Sequence, residues 1–242
     1  MLEVIKAGPQ TTVQDLGRFG VRHLGVCRAG AMDALALTVA NRLAGNPAGA
    51  AALEIALPPA CFRLLRGGML ALAGADCRAT LDGEPVFPGW RTAFRAGQVL
   101  KLEAPRSGMR AYLAVDGGIA VPLLMESAST DLMAGFGGHL GRALRDGDRL
   151  PLEKRGRRVQ AGRLAAAARQ PDPRLRRPGI RVAVQTGPPA LVGHPWQLTP
   201  RSNRMGYRLA GSALRMSEPA EMPSHGALPG LIQLPPDGQP SC

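Results

Sequence analysis

Aromatic residues are scarce in this 242-residue chain, with Phe 5, Trp 2 and Tyr 2 making up 4% of it. Rings on which bases could stack are correspondingly few. Cysteine occurs at four positions, 27, 61, 77 and 242, with no CxxC pair and no histidine at zinc-finger spacing, which argues against a structural zinc site. Cys27, Cys61 and Cys77 then read as buried reduced thiols, and Cys242 lacks the aliphatic pair of a prenylation box. No apolar run approaches the ~18 residues of a membrane span, and residues 1–10 carry no basic-then-apolar signal pattern. The expectation is a cytoplasmic protein without membrane contact. Walker A and dinucleotide fingerprints are missing, as is a G-x-S-x-G elbow, which removes the support for a Ser202/His225/Asp237 triad.

What is present is apolar bulk and turn chemistry. Hydrophobic residues make up 45% of the chain, alongside Gly 31 and Pro 22. A chain of this length buries roughly 70–75% of its unfolded surface and folds without a staple. The formal charge is +12, but its location decides its meaning. Ten basic residues between Lys154 and Arg181 face the single acidic Asp172, in a segment broken by Gly156, Pro171, Pro173 and Pro178 and without an aromatic. That composition describes a solvated basic linker, and no nucleic-acid partner is inferred from it.

Up to residue 150 the pattern is of short strands and one helix. Met32, Leu35, Val39 and Leu43 recur at helical spacing and predict a helix over 31–43, stopped by Gly45-Asn46-Pro47. Apolar runs at Leu53–Leu57, Met69–Ala73, Ala79–Leu81, Val99–Leu102 and Arg110–Val115 alternate with D-G and G-G corners, which favours a β-barrel or sandwich. Arg95–Glu103 and Arg145–Glu153 echo each other and predict the same device twice, a tight Gly turn feeding a strand. A further strand is expected over Ile180–Gln185.

Three stretches could carry chemistry. Thr11–Arg18 packs Gln14, Asp15 and Arg18 into a loop suited to a carboxylate, carbonyl or amide, with a surface Asp15–Arg18 ion pair as the alternative. Ser127–His139 is a hydroxyl and glycine loop, containing Ser129, Thr130 and Asp131, whose N–H groups could form an anion nest. Asn203, Arg204 and Tyr207 lie close together and His225, Gln233, Asp237 and Gln239 crowd the last eighteen residues; the amides and the guanidinium suit a planar ureido or lactam group whose C=O accepts and whose N–H donates. Loop residues satisfying their own backbone remain the alternative.

The segments TTVQDLGRFG, GAMDALALTVANRLAGNP, AGADCRATLDG, APRSGMRAYLAVDGGI, STDLMAGFGGHLGRALRDGD, SNRMGYRL and LPGLIQLPPDGQP resemble, from residue 2 to residue 240, the biotin-dependent carboxyltransferase family of the allophanate hydrolase subunit 2 type. The resemblance implies a mainly β chain with minor α, built as two cyclophilin-like β-barrel domains: 1–153, a basic linker over 154–178, and 179–242. The family's PPDGQP motif normally continues into further strands, so the second domain is expected to be incomplete here, and the region 186–196 looks shortened. The resemblance also implies the C subunit of a 5-oxoprolinase-type hetero-oligomer. Its partners there are the B subunit, of the allophanate hydrolase subunit 1 type, and the A subunit. Together they open the lactam 5-oxoproline to glutamate at the expense of ATP, bound by the complex. Within that reading Asn203, Arg204, Gln233 and Asp237 are expected to be catalytic and Gln14, Asp15, Arg18, Ser129, Thr130 and Asp131 to bind substrate, with no metal. The alternatives are a carboxyltransferase component moving a carboxyl group from carboxybiotin to urea or a related amide, and a non-catalytic KipA-like regulator that binds a partner resembling the B subunit. Biotin would arrive on another chain, since no A-M-K-M motif occurs.

Overall fold

The computed structural model describes residues 1–153, 191, 195–203, 206–214 and 232–242. The chain divides into two compact units, Met1–Ala168 and Arg169–Cys242. The expected linker and the strand expected over Ile180–Gln185 lie outside the described residues.

The first unit holds two antiparallel sheets. One comprises β1 (Leu2–Lys6), β4 (Ala60–Leu64), β6 (Ala79–Leu81), β7 (Glu84–Val86), β9 (Val99–Leu102) and β11 (Arg149–Leu150), in the order β11-β1-β4-β9-β6-β7. The other comprises β2 (Gln10–Gln14), β3 (Ala52–Ala56), β5 (Gly68–Asp76), β8 (Arg91–Phe94) and β10 (Ser107–Val115), in the order β2-β3-β10-β5-β8. Period-2 alternation turns one face of each inward: Ala60, Phe62 and Leu64 of β4 are buried while Arg63 is exposed. Leu2, Val4, Phe62, Leu100 and Leu102 of the first sheet share one core with Val13, Leu53, Ile55, Leu72 and Leu113 of the second. Each of these larger side chains contributes about 1.5–3 kcal/mol by leaving water. The mainly β expectation therefore holds. β6 and β9 fall where the apolar runs placed them, and β5 and β10 extend beyond theirs.

Helix α1 (Ala34–Ala44) covers the outer face of the second sheet. Asp33 caps it by accepting from Ala36 N at 3.0 Å, and Gly45 in the left-handed region (φ 87) closes it. The expected apolar face holds in part, since Leu43 is buried and Val39 packs against the buried cluster, and is corrected at its start. Leu35 and Met32 are 49% and 37% exposed, whereas Ala36, Leu37, Ala40, Leu43 and Ala44 are buried. The sheet offers Ala52, Ala71, Ala73 and Ala114 at this contact, so Leu37, Leu43 and the helix's alanines pack there while Leu35, and Met32 just ahead of the helix, turn outward.

A row of polar groups crosses the same sheet face. Thr12, Glu54 and Tyr112 stand opposite one another on β2, β3 and β10. Tyr112 Oη donates to Glu54 Oε2 at 2.8 Å and accepts from Asp33 N at 2.8 Å, and Met32 N donates to Glu54 Oε2 at 2.9 Å. The start of α1 is thus tied to the sheet. Burial, reinforced by the neighbouring Glu54, pushes the Tyr112 hydroxyl pKa far up, so it serves as a permanent donor.

The sequence echo resolves into two equivalent turns. Gly97 N donates to Leu64 O and Gly147 N to Val4 O, both at 2.7 Å, before the chain enters β9 and β11. Each turn is capped by a side chain three residues on, Gln98 Oε1 accepting from Arg95 N and Asp148 Oδ2 from Arg145 N, both at 2.8 Å. Of the cysteines read as buried, only Cys77 is fully so; Cys27 and Cys61 are half-buried, and none of the three is in a disulfide.

The second unit pairs β12 (Gln197–Leu198) with β13 (Leu209–Ala210), antiparallel. Trp196 Nε1 donates to Leu191 O at 2.8 Å, and Arg208 and Gln233 both bridge Ser241.

Asp148 supplies a pH test. Arg142 grips its carboxylate through two bonds of 2.7 and 2.9 Å, and that contact, ahead of the Arg145 N–H, depresses its pKa from 3.8 to about 2. A depressed carboxylate stabilises the fold fully above its unfolded pKa and loses that contribution as pH falls through the folded one, here between about 4 and 2. Acid unfolding followed by circular dichroism should show Asp148→Asn less stable than wild type at pH 7, by up to about 2 kcal/mol, with the gap closing towards pH 2.

Candidate functional site

The stretch read as a binding loop is half strand. Gln10–Gln14 is β2, paired residue for residue with β3, and only Asp15–Arg18 leaves the sheet. Its nearly all-polar sequence hid the strand, because its buried polar side chains find partners inside the protein. Gln14 Nε2 donates to Thr12 Oγ1 at 2.9 Å and to Thr130 O at 3.2 Å.

Asp15 is 7% exposed and its carboxylate is enclosed by donors. Gly17 N, Ala128 N and Ser127 Oγ reach it at 2.7 Å and Ser129 Oγ at 2.5 Å. Ser129 Oγ also accepts from Asp15 N at 3.0 Å, and Ser127 Oγ from Ser129 N at 3.0 Å. Thr130 N and Oγ1 both donate to Val13 O at 3.0 Å. The end of β2 and the segment 127–130 are therefore laced together as one body. The alternative of a surface Asp15–Arg18 ion pair does not hold, because both side chains are buried and the donors around Asp15 are hydroxyls and backbone N–H groups.

Arg18, 1% exposed, is the largest fully buried side chain. Its Nε donates to Leu124 O at 3.2 Å and its Nη2 to Ser129 O at 2.5 Å, while the guanidinium lies 4.6 Å from the centroid of the Phe136 ring. Burial lowers its pKa, and the nearby carboxylates of Asp15 and Asp131 oppose that shift. Gly137 and Gly138 close over the group with φ 74 and 53; a Cβ at Gly137 would collide with Ser129 O and Arg18 Nη2, and one at Gly138 with Thr130 Oγ1.

The anion nest expected of Ser127–His139 is filled from within. Ala128 N is satisfied by Asp15, while Asp131 Oδ1 accepts from Met133 N at 3.0 Å and from Ala134 N at 3.1 Å. With these carboxylates on its N–H groups and its two serines committed to Asp15, the loop does not fit a phosphate, and no nucleotide chemistry is assigned to it. Two side-chain atoms at the site are buried without a hydrogen-bond partner among the described residues: Gln14 Oε1, an acceptor, and Arg18 Nη1, a donor.

All six substrate-binding residues expected in the first unit thus meet in one place. Of the four in the second unit, Arg204 lies outside the described residues. Asn203 closes a tight turn with Gly206 through bonds of 3.1 and 3.2 Å, Gln233 is exposed beside Ser241, and exposed Asp237 caps its own turn by accepting from Gln239 N at 3.0 Å. Sequence reasoning missed Phe136, Glu54 and Tyr112. The available signal for Glu54 was a carboxylate inside the apolar run Ala51–Leu57.

A mainly antiparallel β unit whose buried carboxylate and guanidinium clamp a hydroxyl-rich loop is the class of protein defined so far. The family model for the carboxyltransferase domain, subdomain A and B, matches residues 24–242, and the chain belongs to that family. It is 47% identical to the C subunit of 5-oxoprolinase from Escherichia coli (strain K12), over 99% of this chain and 78% of that protein. The corresponding protein of Haemophilus influenzae is 36% identical over the same shares, 99% and 78%. Urea amidolyase of Saccharomyces cerevisiae is 30% identical over 87% of this chain and 12% of its own. Among solved structures, TTHA0988 superposes with a TM-score of 0.80 at 36% identity, covering 99% of this chain and 48% of its own, so this chain spans about half of it. The urea amidolyase of K. lactis superposes at 0.74 with 28% identity, over 90% of this chain and 14% of its own.

Replacing Asp15 by Asn keeps the shape but turns an NH₂ group towards donors. Asp15→Asn should destabilise the first unit by about 3 kcal/mol, against about 1 kcal/mol for Ser127→Ala, in urea unfolding followed by Trp90 fluorescence. Equal losses would show that the charge of Asp15 is not what holds the segment.

Proposed function

We propose that this chain is the C subunit of a 5-oxoprolinase-type enzyme, acting with the A and B subunits to open the lactam of 5-oxoproline to glutamate at the expense of ATP. The observation that carries this reading is the 47% identity to the corresponding E. coli protein, over 99% of this chain and 78% of that one. Opening a lactam breaks its C–N bond and takes up water, so an assembled site needs a donor for the carbonyl oxygen and an acceptor for the N–H. The unpartnered Arg18 Nη1 and Gln14 Oε1 are one of each; both are sealed from solvent here, so assigning them to substrate requires the site to open in the assembled enzyme. Asp15, Ser129, Thr130 and Asp131 spend their polar atoms on one another and on backbone, so their role in this reading is to position Arg18 and Gln14. In the second unit the amides of Asn203 and Gln233 and the guanidinium of Arg204 are the candidate donors to an oxygen that gains charge, a role closed to the carboxylate of Asp237. ATP is assigned to the complex and not to the loop of 127–139.

The matches to urea amidolyases, at 28–32% identity, favour one second reading, a carboxyltransferase component served by carboxybiotin on another chain. Glutamate release from 5-oxoproline separates the two. The chain alone should release none, and the mixture with the A and B subunits should release it only when ATP is supplied. Turnover by the chain alone would refute a shared site, and bicarbonate-dependent carboxylation of an amide requiring a biotinylated protein would establish the second reading instead.

A further inference from the structure

Backbone strain and exposed apolar side chains coincide on segments that Arg18 anchors. Leu124 and Ser127 close a two-residue turn through Leu124 N to Ser127 O at 2.9 Å and Ser127 N to Leu124 O at 3.2 Å. Met125 and Glu126 between them both hold positive φ, 51 and 61, the pattern of a type I′ turn that ordinarily demands Asn-Gly. Neither residue relieves that strain by burial, and Met125 is 46% exposed. Leu123 and Leu124 beside it are 65% and 44% exposed. Both ends of the turn are clamped from below, Leu124 O by Arg18 Nε and Ser127 Oγ by Asp15. Phe19, the next residue after Arg18, is 64% exposed. Met133 and Leu140, 72% and 74% exposed, lie three and four residues from Phe136, whose ring carries the Arg18 guanidinium, and Leu140 also has positive φ, at 58.

We infer that this strained apolar tip is the surface on which the chain docks a second, different polypeptide of the same enzyme, one presenting an apolar recess with carboxylates at the Phe19 end. The inference rests on the functional reading above and adds where the partner binds. Two observations point to a separate polypeptide over a second copy. The relatives that this chain spans for most of their length are named as subunits, and in TTHA0988 it accounts for 48% of a longer chain, so more of that chain lies outside the match than of the E. coli subunit, which is matched over 78% of its length. The charge also has one sign where Phe19 lies: Arg28 stacks 4.2 Å from the Phe19 ring centroid, and Arg22 and His23 are exposed a few residues on. A rigidly held apolar cluster with a charged rim is the usual anatomy of an interface hot spot. Strain retained at an exposed site, where Asn-Gly would be easier, indicates that the side chains at 125 and 126 matter for something other than folding.

The double variant M125N/E126G installs the turn sequence that the backbone favours and removes the apolar tip, and L123D alters the tip alone. With the full chain and the purified A and B subunits of E. coli 5-oxoprolinase as probes, affinity is read by calorimetry, and self-association by sedimentation. M125N/E126G should raise the melting midpoint by about 2–4 °C and weaken partner binding at least about 10-fold. L123D should leave the midpoint unchanged and weaken binding comparably. Wild-type affinity retained by both variants, with the wild type binding, overturns the docking surface and leaves the functional reading standing. Failure of the wild type to bind either probe overturns the functional reading, and the docking surface with it. A wild-type dimer that L123D dissociates overturns the proposal in favour of self-contact, and a lowered midpoint for M125N/E126G overturns the strain argument.

Discussion

The carboxylate of Asp15 ties together parts of the chain that lie more than a hundred residues apart. Its bonds to Ser127, Ala128 and Ser129 span separations of 112 to 114 residues. A buried carboxylate is costly unless donors surround it, and here four do. That requirement dictates much of what is nearby. Two serines must stand two residues apart to reach it, the backbone must offer Ala128 N between them, and the glycines at 137 and 138 must leave room above. Arg18 depends on the same arrangement, because the carbonyl of Ser129 that its Nη2 uses is placed by the serine's own bond to Asp15.

This lacing changes how the hydroxyl and glycine loop is understood. Taken as a string of residues it has the composition of an anion-binding loop; folded, it already contains its anions. A group whose polar atoms are spent internally braces a site, whereas one with an open valence can meet a ligand. On that criterion Gln14 and Arg18 differ from Asp15, Ser129, Thr130 and Asp131, although all six sit together. The same body of bonds holds the turn at 124–127 outward, so the interior of the site and the exposed apolar tip are two sides of one construction.

A second polar brace, Glu54 with Tyr112, does for helix α1 what Asp15 does for the loop. It fixes where the helix begins, after which the helix lies on alanines, and small side chains on both surfaces let them approach closely. The exposed stripe of Leu35 and Met32 follows from that choice of face.

Period-2 apolar runs and Gly corners were enough to define the class as mainly β, to place β6 and β9, to identify the equivalent turns before β9 and β11, and to locate one helix with its stop at Gly45. These features are local, so neighbouring residues encode them. Long motifs in order were enough to indicate the family. The helix face was legible only at its end, in Val39 and Leu43, because two overlapping stripes both had helical spacing and only the alanine-lined sheet chose Leu37 over Leu35. β2 was not legible as a strand, because its run of polar residues makes sense only once Thr130 and the rest of the clamp are beside it. The grouping of Gln14, Asp15 and Arg18 with Ser129, Thr130 and Asp131 was visible as two separate polar stretches. Which atoms would be satisfied and which left over was decided only by tertiary structure, since a hydrogen bond depends on distances that residues a hundred positions apart acquire only when the sheets close.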